Sequence, residues 1–236
     1  IYDSKHLGIG ECAPLFDLSC DYNEAYENNL YYFCRKLEEN GDLDLDALRP
    51  YPSIQFGLET ALLHFERNKL QLWDTPFSRG EKGIPINGLI WMGDYNYMFE
   101  QIKLKIEQGF RCIKLKIGAI NFEEELQLLK YIREQFPSNL ISLRVDANGA
   151  FSVDDALDKL KQLAELDLHS IEQPIKAGQW EKIASLTEIT PLPIALDEEL
   201  IGVNKLEEKR RLLETIKPQY IILKPTLHGG INGCNE

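Results

Sequence analysis

Nothing in the sequence approaches the run of about eighteen apolar residues that a membrane-spanning helix needs, which excludes such a helix within it. No CxxC pair occurs among Cys12, Cys20, Cys34, Cys112 and Cys234. An odd number of unpaired thiols argues against both a disulfide framework and a zinc ribbon, and fits reduced cysteines in the cytoplasm. Basic residues are the scarcer charge, 26 Lys and Arg against 38 Asp and Glu, for a net charge of −12. A surface of that sign repels phosphate backbones and anionic membranes, so the expected partners are small molecules and metal cations, not nucleic acid or membrane. Low-complexity tracts are also missing, and the 44% hydrophobic content is enough for a packed core.

What is present is a rhythm. In Ile141–Phe151, ISLRVDANGAF, Ile141, Leu143 and Val145 alternate with Ser142, Arg144 and Asp146, and the run stops at Asn148-Gly149 before a helical pattern resumes. This reads as a strand with a carboxylate at its C-terminal end, followed by a turn. Four other apolar runs end in the same way, at Lys116, Glu172, Asp197 and Lys224, and the five charged residues follow one another at intervals of 25 to 30 residues. Each interval holds one strand, one helix and two loops, the length of a parallel βα unit. With a first strand at Ile84–Trp91 the count reaches six, at Cys112–Ile117, Ile141–Asp146, Ser170–Pro174, Ile194–Asp197 and Tyr220–Leu227.

Residues 1–80 do not share the rhythm. Leu7–Pro14 reads as a short strand and turn, and Tyr22–Glu39 as a helix with a stripe of Ala25, Asn29 and Phe33. A second helix follows a Ser53 cap, with Ile54, Leu58, Ala61, Leu62 and Phe65 at helical spacing. The expected organisation is an α+β capping domain over 1–80 and a β/α barrel domain over 81–236. An open parallel sheet of six strands would leave two unpaired edges, so the functional protein is expected to be longer, by about two strands after residue 236 and by some strands before residue 1.

Asp146, Glu172 and Asp197 stand at three successive strand ends, which a parallel barrel gathers on one face. Three neighbouring carboxylates repel unless a cation compensates, and all-oxygen ligation suits Mg²⁺ ahead of Mn²⁺. Lys114 and Lys116 are two apart on a strand and therefore point to one side, while Lys224 follows the sixth strand. Lysines on two sides of a metal-bound substrate suit removal of a proton next to a carboxylate. Asn148 is nearly in phase with Asp146, and reads equally as a bond to a metal-bound water or as a plain turn residue. Of the scattered His6, His64, His169 and His228, only His228 falls near these residues, and it and Asn148 are the candidate substrate contacts.

The motifs IKLKIG, RVDANGAF, SIEQP, IALDEE and ILKPTLHGG, in this order and spacing, resemble the enolase superfamily, in particular its muconate-cycloisomerase-like branch. GIGECAPL and PSIQFGLETAL add a similarity to the o-succinylbenzoate synthases within it. The resemblance implies a (β/α)7β TIM-like barrel with an N-terminal α+β capping domain, and Mg²⁺ on Asp146, Glu172 and Asp197. It also implies Lys116 as the base that becomes the acid, Lys224 as the enediolate stabiliser, and Lys114 in support. The expected reaction is dehydration of 2-succinyl-6-hydroxy-2,4-cyclohexadiene-1-carboxylate to o-succinylbenzoate in menaquinone biosynthesis. Three alternatives stay open. Dipeptide epimerases and N-acylamino acid racemases use the same lysines and metal triad, a Schiff-base lysine would not need the acids, and a non-catalytic barrel fragment would keep the fold alone.

Overall fold

A computed structural model describes residues 1–236. The chain divides into two compact units. One comprises Ile1–Ile84, Leu200–Arg210 and Leu223–Glu236, and the other Pro85–Glu199 and Arg211–Ile222.

The first unit opens with helices α1 (Tyr26–Asn40), α2 (Leu45–Leu48) and α3 (Pro52–Arg67). The α1 stripe differs from the expected one. Ala25 is exposed, and Tyr26, Phe33 and Leu37 turn inward to a core shared with Leu48, Ile54 and Leu58. These larger side chains remove more apolar area from water than Ala25 and Asn29 would. Ser53 is not the cap of α3. Pro52 begins the helix with its φ already set, and Ser53 inside the first turn gives its N–H and its hydroxyl to Asp21 Oδ2 at 2.9 and 2.6 Å.

Leu7–Pro14 is not a strand either, and only an isolated bridge joins Tyr2 and Leu7. This segment lies backbone-to-backbone against α3 instead of joining a ladder. A Cβ on Gly10 would fall 1.8 Å from the Gly57 carbonyl oxygen, and one on Gly8 2.1 Å from that of Ala61. Glycine is thus required at both positions by the approach of the helix.

The second unit carries the repeat. In chain order the elements are β1 (Gly88–Ile90), α4 (Tyr95–Glu107), β2 (Cys112–Lys116), α5 (Phe122–Gln135), β3 (Ser142–Asp146), α6 (Val153–Ala164) and β4 (Ser170–Glu172). Next come α7 (Trp180–Ile189), β5 (Ile194–Leu196), α8 (Leu206–Ile216) and β6 (Tyr220–Ile221), and α9 (Gly230–Asn235) closes the first unit. All six strands are parallel in the order β1-β2-β3-β4-β5-β6, the α/β arrangement predicted by the spacing. Side chains on one face of the sheet, Ile113, Leu115, Leu143, Val145 and Ile171, are fully buried. Met98, Ile102, Leu129, Ile132 and Leu160 are buried on the intervening helices. Asp94, Asn121 and Ser152 each accept a backbone N–H at the start of α4, α5 and α6, worth about 1 kcal/mol apiece.

All six strands are shorter than expected, β1 and β6 the most. Ile84 and Ile86 are exposed outside β1, where Pro85 has no N–H for a ladder. The run Tyr220–Leu227 pairs only through Ile221, because Pro225 again lacks a donor and the Lys224 N–H turns to His228 Nδ1 at 2.9 Å. After Gly229 the chain turns into the short helix α9. No helix is long and apolar enough to cross a membrane.

The close approach of residues 8–12 to α3 predicts that Gly10→Val lowers the unfolding free energy by about 1–3 kcal/mol, read by urea denaturation. Gly83→Ala, whose added Cβ meets nothing within 4 Å, should leave it unchanged.

Candidate active site

Strand alternation places the reactive groups. In β2, Ile113 and Leu115 are buried on the helix-facing side, and Cys112, Lys114 and Lys116 occupy the other. The lysine side chains are only 19% and 14% exposed, which rules out surface lysines on an edge. Register aligns Lys116 with Asp146 and Asp146 with Glu172, so three neighbouring strands present one row of charged groups at their C-terminal ends. Asp197 follows β5 directly and is buried like Asp146 and Glu172.

The lysines hold this row together. Lys114 Nζ lies 2.9 Å from Asp146 Oδ2 and 2.7 Å from Glu172 Oε2. Lys116 Nζ lies 3.2 Å from the same Asp146 oxygen and donates to Asn148 Oδ1 at 2.7 Å, with the Trp91 ring centroid 5.1 Å away. Asn148 in turn donates from Nδ2 to Glu198 Oε1 at 2.8 Å, so the turn residue is tied into the site. Lys224 and His228 belong to the other unit, where the His228 ring pins the Lys224 backbone through Nδ1.

Charge balance differs between the acids. Burial acts to raise Asp146, but the ammoniums of Lys114 and Lys116 outweigh it and hold the carboxyl below its usual range. Burial pushes Glu172 up to about 7, with Asp146 and Asp197 adding to the rise and Lys114 opposing it. Lys114 is itself raised: burial disfavours its charge, yet Glu172 and Asp146 prevail. The three acids do not stand together as a ready metal cage, since Lys114 occupies the place between two of them. The donor chemistry nevertheless fits a hard divalent cation. The set is all oxygen, and it comes from three adjacent strand ends.

A residue that sequence reasoning missed joins the loops. Gln173 is fully buried with φ +39°, a left-handed conformation that costs a non-glycine residue about 1–3 kcal/mol. Its Oε1 accepts the backbone N–H groups of Asp197 and Glu199, and its Nε2 donates to Ile175 O and Glu199 Oε2. Its carbonyl accepts from Gly149 N–H at 2.7 Å. One side chain and its backbone thus connect the loops after β3, β4 and β5. The SIEQP motif contained it, but no periodicity marks a residue whose role is to accept two distant amides.

The family profile described as enolase C-terminal domain-like matches residues 98–236. The chain belongs to that family. A curated o-succinylbenzoate synthase of Desulfotalea psychrophila (strain LSv54 / DSM 12343) is 52% identical over 98% of this chain and 71% of its own length. The crystal structure of MenC from Desulfotalea psychrophila LSv54 matches with a TM-score of 0.83 and 39% identity, covering 99% of this chain and 74% of that one. The o-succinylbenzoate synthase structure from Thermosynechococcus elongatus BP-1, complexed with Mg in its active site, matches with a TM-score of 0.77 and 26% identity. It covers 100% of this chain and 69% of that one. Membership of this family accounts for the parallel βα repeat.

The raised Glu172 carboxyl gives a pH prediction. Its folded value lies above the ordinary 4.5, so the folded state binds the extra proton and loses stability as pH rises from about 4.5 to about 7. In metal-free protein, Glu172→Gln should therefore gain stability relative to the parent across that window, measured by denaturant titration at a series of pH values. A difference that does not grow with pH there contradicts the assignment.

Proposed function

We propose that this chain is a magnesium-dependent carbon–oxygen lyase that dehydrates 2-succinyl-6-hydroxy-2,4-cyclohexadiene-1-carboxylate to o-succinylbenzoate, a step of menaquinone biosynthesis. The observation that carries the reading is the row Lys116, Asp146 and Glu172 across β2, β3 and β4, joined by the ion pairs of Lys116 to Asp146 and of Lys114 to Asp146 and Glu172. Asp146, Glu172 and Asp197 would hold the ion, and the chemistry Mg²⁺ supplies there is neutralisation of the charge that gathers on the substrate carboxylate.

Lys116 takes the proton from the ring carbon bearing the carboxylate. The electron pair passes into the carboxylate as an enediolate, and Lys224 stabilises that charge. When the pair returns to form the new ring double bond, the C–O bond of the neighbouring hydroxyl breaks. Lys116 Nζ gives its proton to the leaving hydroxide, so the products are the aromatic acid and water and the amine is restored. Aromatisation drives the step. Lys114 keeps Asp146 and Glu172 oriented through its two ion pairs, Asn148 holds Lys116 by its amide oxygen, and His228 fixes the Lys224 backbone.

The substrate is a small carboxylate, and the net charge of −12 is unsuited to nucleic acid or an anionic membrane. Five free cysteines suit the cytoplasm.

Absorbance assay of the purified chain with the cyclohexadiene substrate, with and without Mg²⁺, tests the reading. The expected result is magnesium-dependent dehydration without α-proton exchange on dipeptides or N-acylamino acids; exchange without dehydration would move the chain to the racemases and epimerases. Lys116→Ala and Lys224→Ala should each lower kcat by about 10²–10⁴-fold with the circular dichroism spectrum unchanged. Asp197→Asn should raise the Mg²⁺ needed for half-maximal activity by at least about tenfold, the loss that removing even an outer partner of a metal ligand produces.

A further inference from the structure

Glu59 is a buried carboxylate in α3, within the unit that also holds residues 223–236. A buried carboxylate is retained only where hydrogen bonds replace its lost water. Oε1 of Glu59 accepts from Gln55 Nε2 and from Asn232 Nδ2, both at 2.8 Å, and Oε2 accepts the Ile231 N–H at 2.5 Å. Two of these three donors lie in the segment that follows Lys224.

That segment is shaped around the carboxylate. Gly229 and Gly230 have φ of +84° and +69°, and a Cβ on Gly230 would fall 2.2 Å from Glu59 Oε2. Left-handed backbone and the absence of a side chain are both needed at Gly230 for the acid to reach the Ile231 N–H. From Gly230 the bonds run back to Lys224. Gly230 N–H donates to Pro225 O, Leu227 and His228 N–H donate to Lys224 O, and the Lys224 N–H donates to His228 Nδ1. Because β6 ends at Ile221, Lys224 lies beyond the strand and takes its backbone position from this turn.

We propose that Glu59 is a positioning residue for Lys224, acting through the Gly229-Gly230 turn and His228. The proposal rests on the role given to Lys224 in the reaction above. A carboxylate on a helix of the N-terminal region then sets where a lysine of the barrel sequence stands. Since a displacement of about 1 Å at a reacting group can lower a rate by about 10²-fold, this hold bears on kcat and not only on stability.

The test is Glu59→Gln in the full chain, with Mg²⁺. This variant keeps the shape but presents an amide N–H₂ or a neutral oxygen to the Ile231 N–H. The expected result is a kcat lowered about tenfold to hundredfold, with KM and the half-activating Mg²⁺ concentration within about twofold of the parent. Amide hydrogen exchange should quicken in residues 224–231 while the rest of the chain keeps its protection. Asn232→Ala, which removes one donor and leaves the carboxylate in place, should do the same to a smaller degree. The double variant should be no slower than Glu59→Gln alone, as for two residues acting through one contact.

A folded Glu59→Gln protein with parental kcat and unchanged exchange in 224–231 would overturn the proposal. So would a general rise in exchange with KM and kcat moving together, the mark of a structural role alone. Should Glu59→Gln not fold, Asn232→Ala decides by the same two readouts. A parent that does not dehydrate the substrate would instead refute the functional reading, and the exchange of residues 224–231 would still report whether Glu59 holds the turn.

Discussion

Like charges buried side by side at neighbouring strand ends must be compensated, and the ammoniums of Lys114 and Lys116 do this for Asp146 and Glu172. The rest of the second unit serves that row. Parallel pairing brings the strand ends level, and alternation in β2 turns both lysines to one side while Ile113 and Leu115 anchor the other. Compensation is unequal: Asp146, with two lysines, is held low, whereas Glu172 is raised by burial first, shares one lysine and feels two acids. The all-oxygen donor set of Asp146, Glu172 and Asp197 suits a hard cation.

Neutral groups supply the rigidity. Asn148 and Gln173 both adopt left-handed backbone just past strand ends, where strain is retained because several bonds depend on it. Asn148 joins Lys116 to Glu198, and Gln173 joins the amides of Asp197 and Glu199 to the loop after β4. A buried amide suits this place because it donates and accepts at once, and it brings no further charge to a crowded electrostatic field.

Legibility followed the range of the interaction. Regular alternation in β2 and β3 reflects local periodicity, and these strands agreed with expectation to within a residue. Leu7–Pro14 has the composition of a strand but spends its glycines on a helix about fifty residues away. The sixth strand read too long because an apolar run containing Lys224 and Pro225 resembles a strand until the ladder donors are counted. In α1 Phe33 is buried as expected, but Tyr26 and Leu37 replace Ala25 and Asn29 because burial goes to the larger side chains available.

The sequence by itself determined the parallel βα repeat and the placing of Lys116, Asp146, Glu172 and Asp197 at or next to strand ends, since each is set by periodicity and turn chemistry within about thirty residues. Tertiary structure alone decided which lysine pairs with which acid, that Glu172 rather than Asp146 is the raised carboxyl, that Gln173 ties three loops, and that Glu59 grips the turn after Lys224. Those outcomes depend on distances between atoms far apart in the chain and on how far each is withdrawn from water, and neither quantity is written in local pattern.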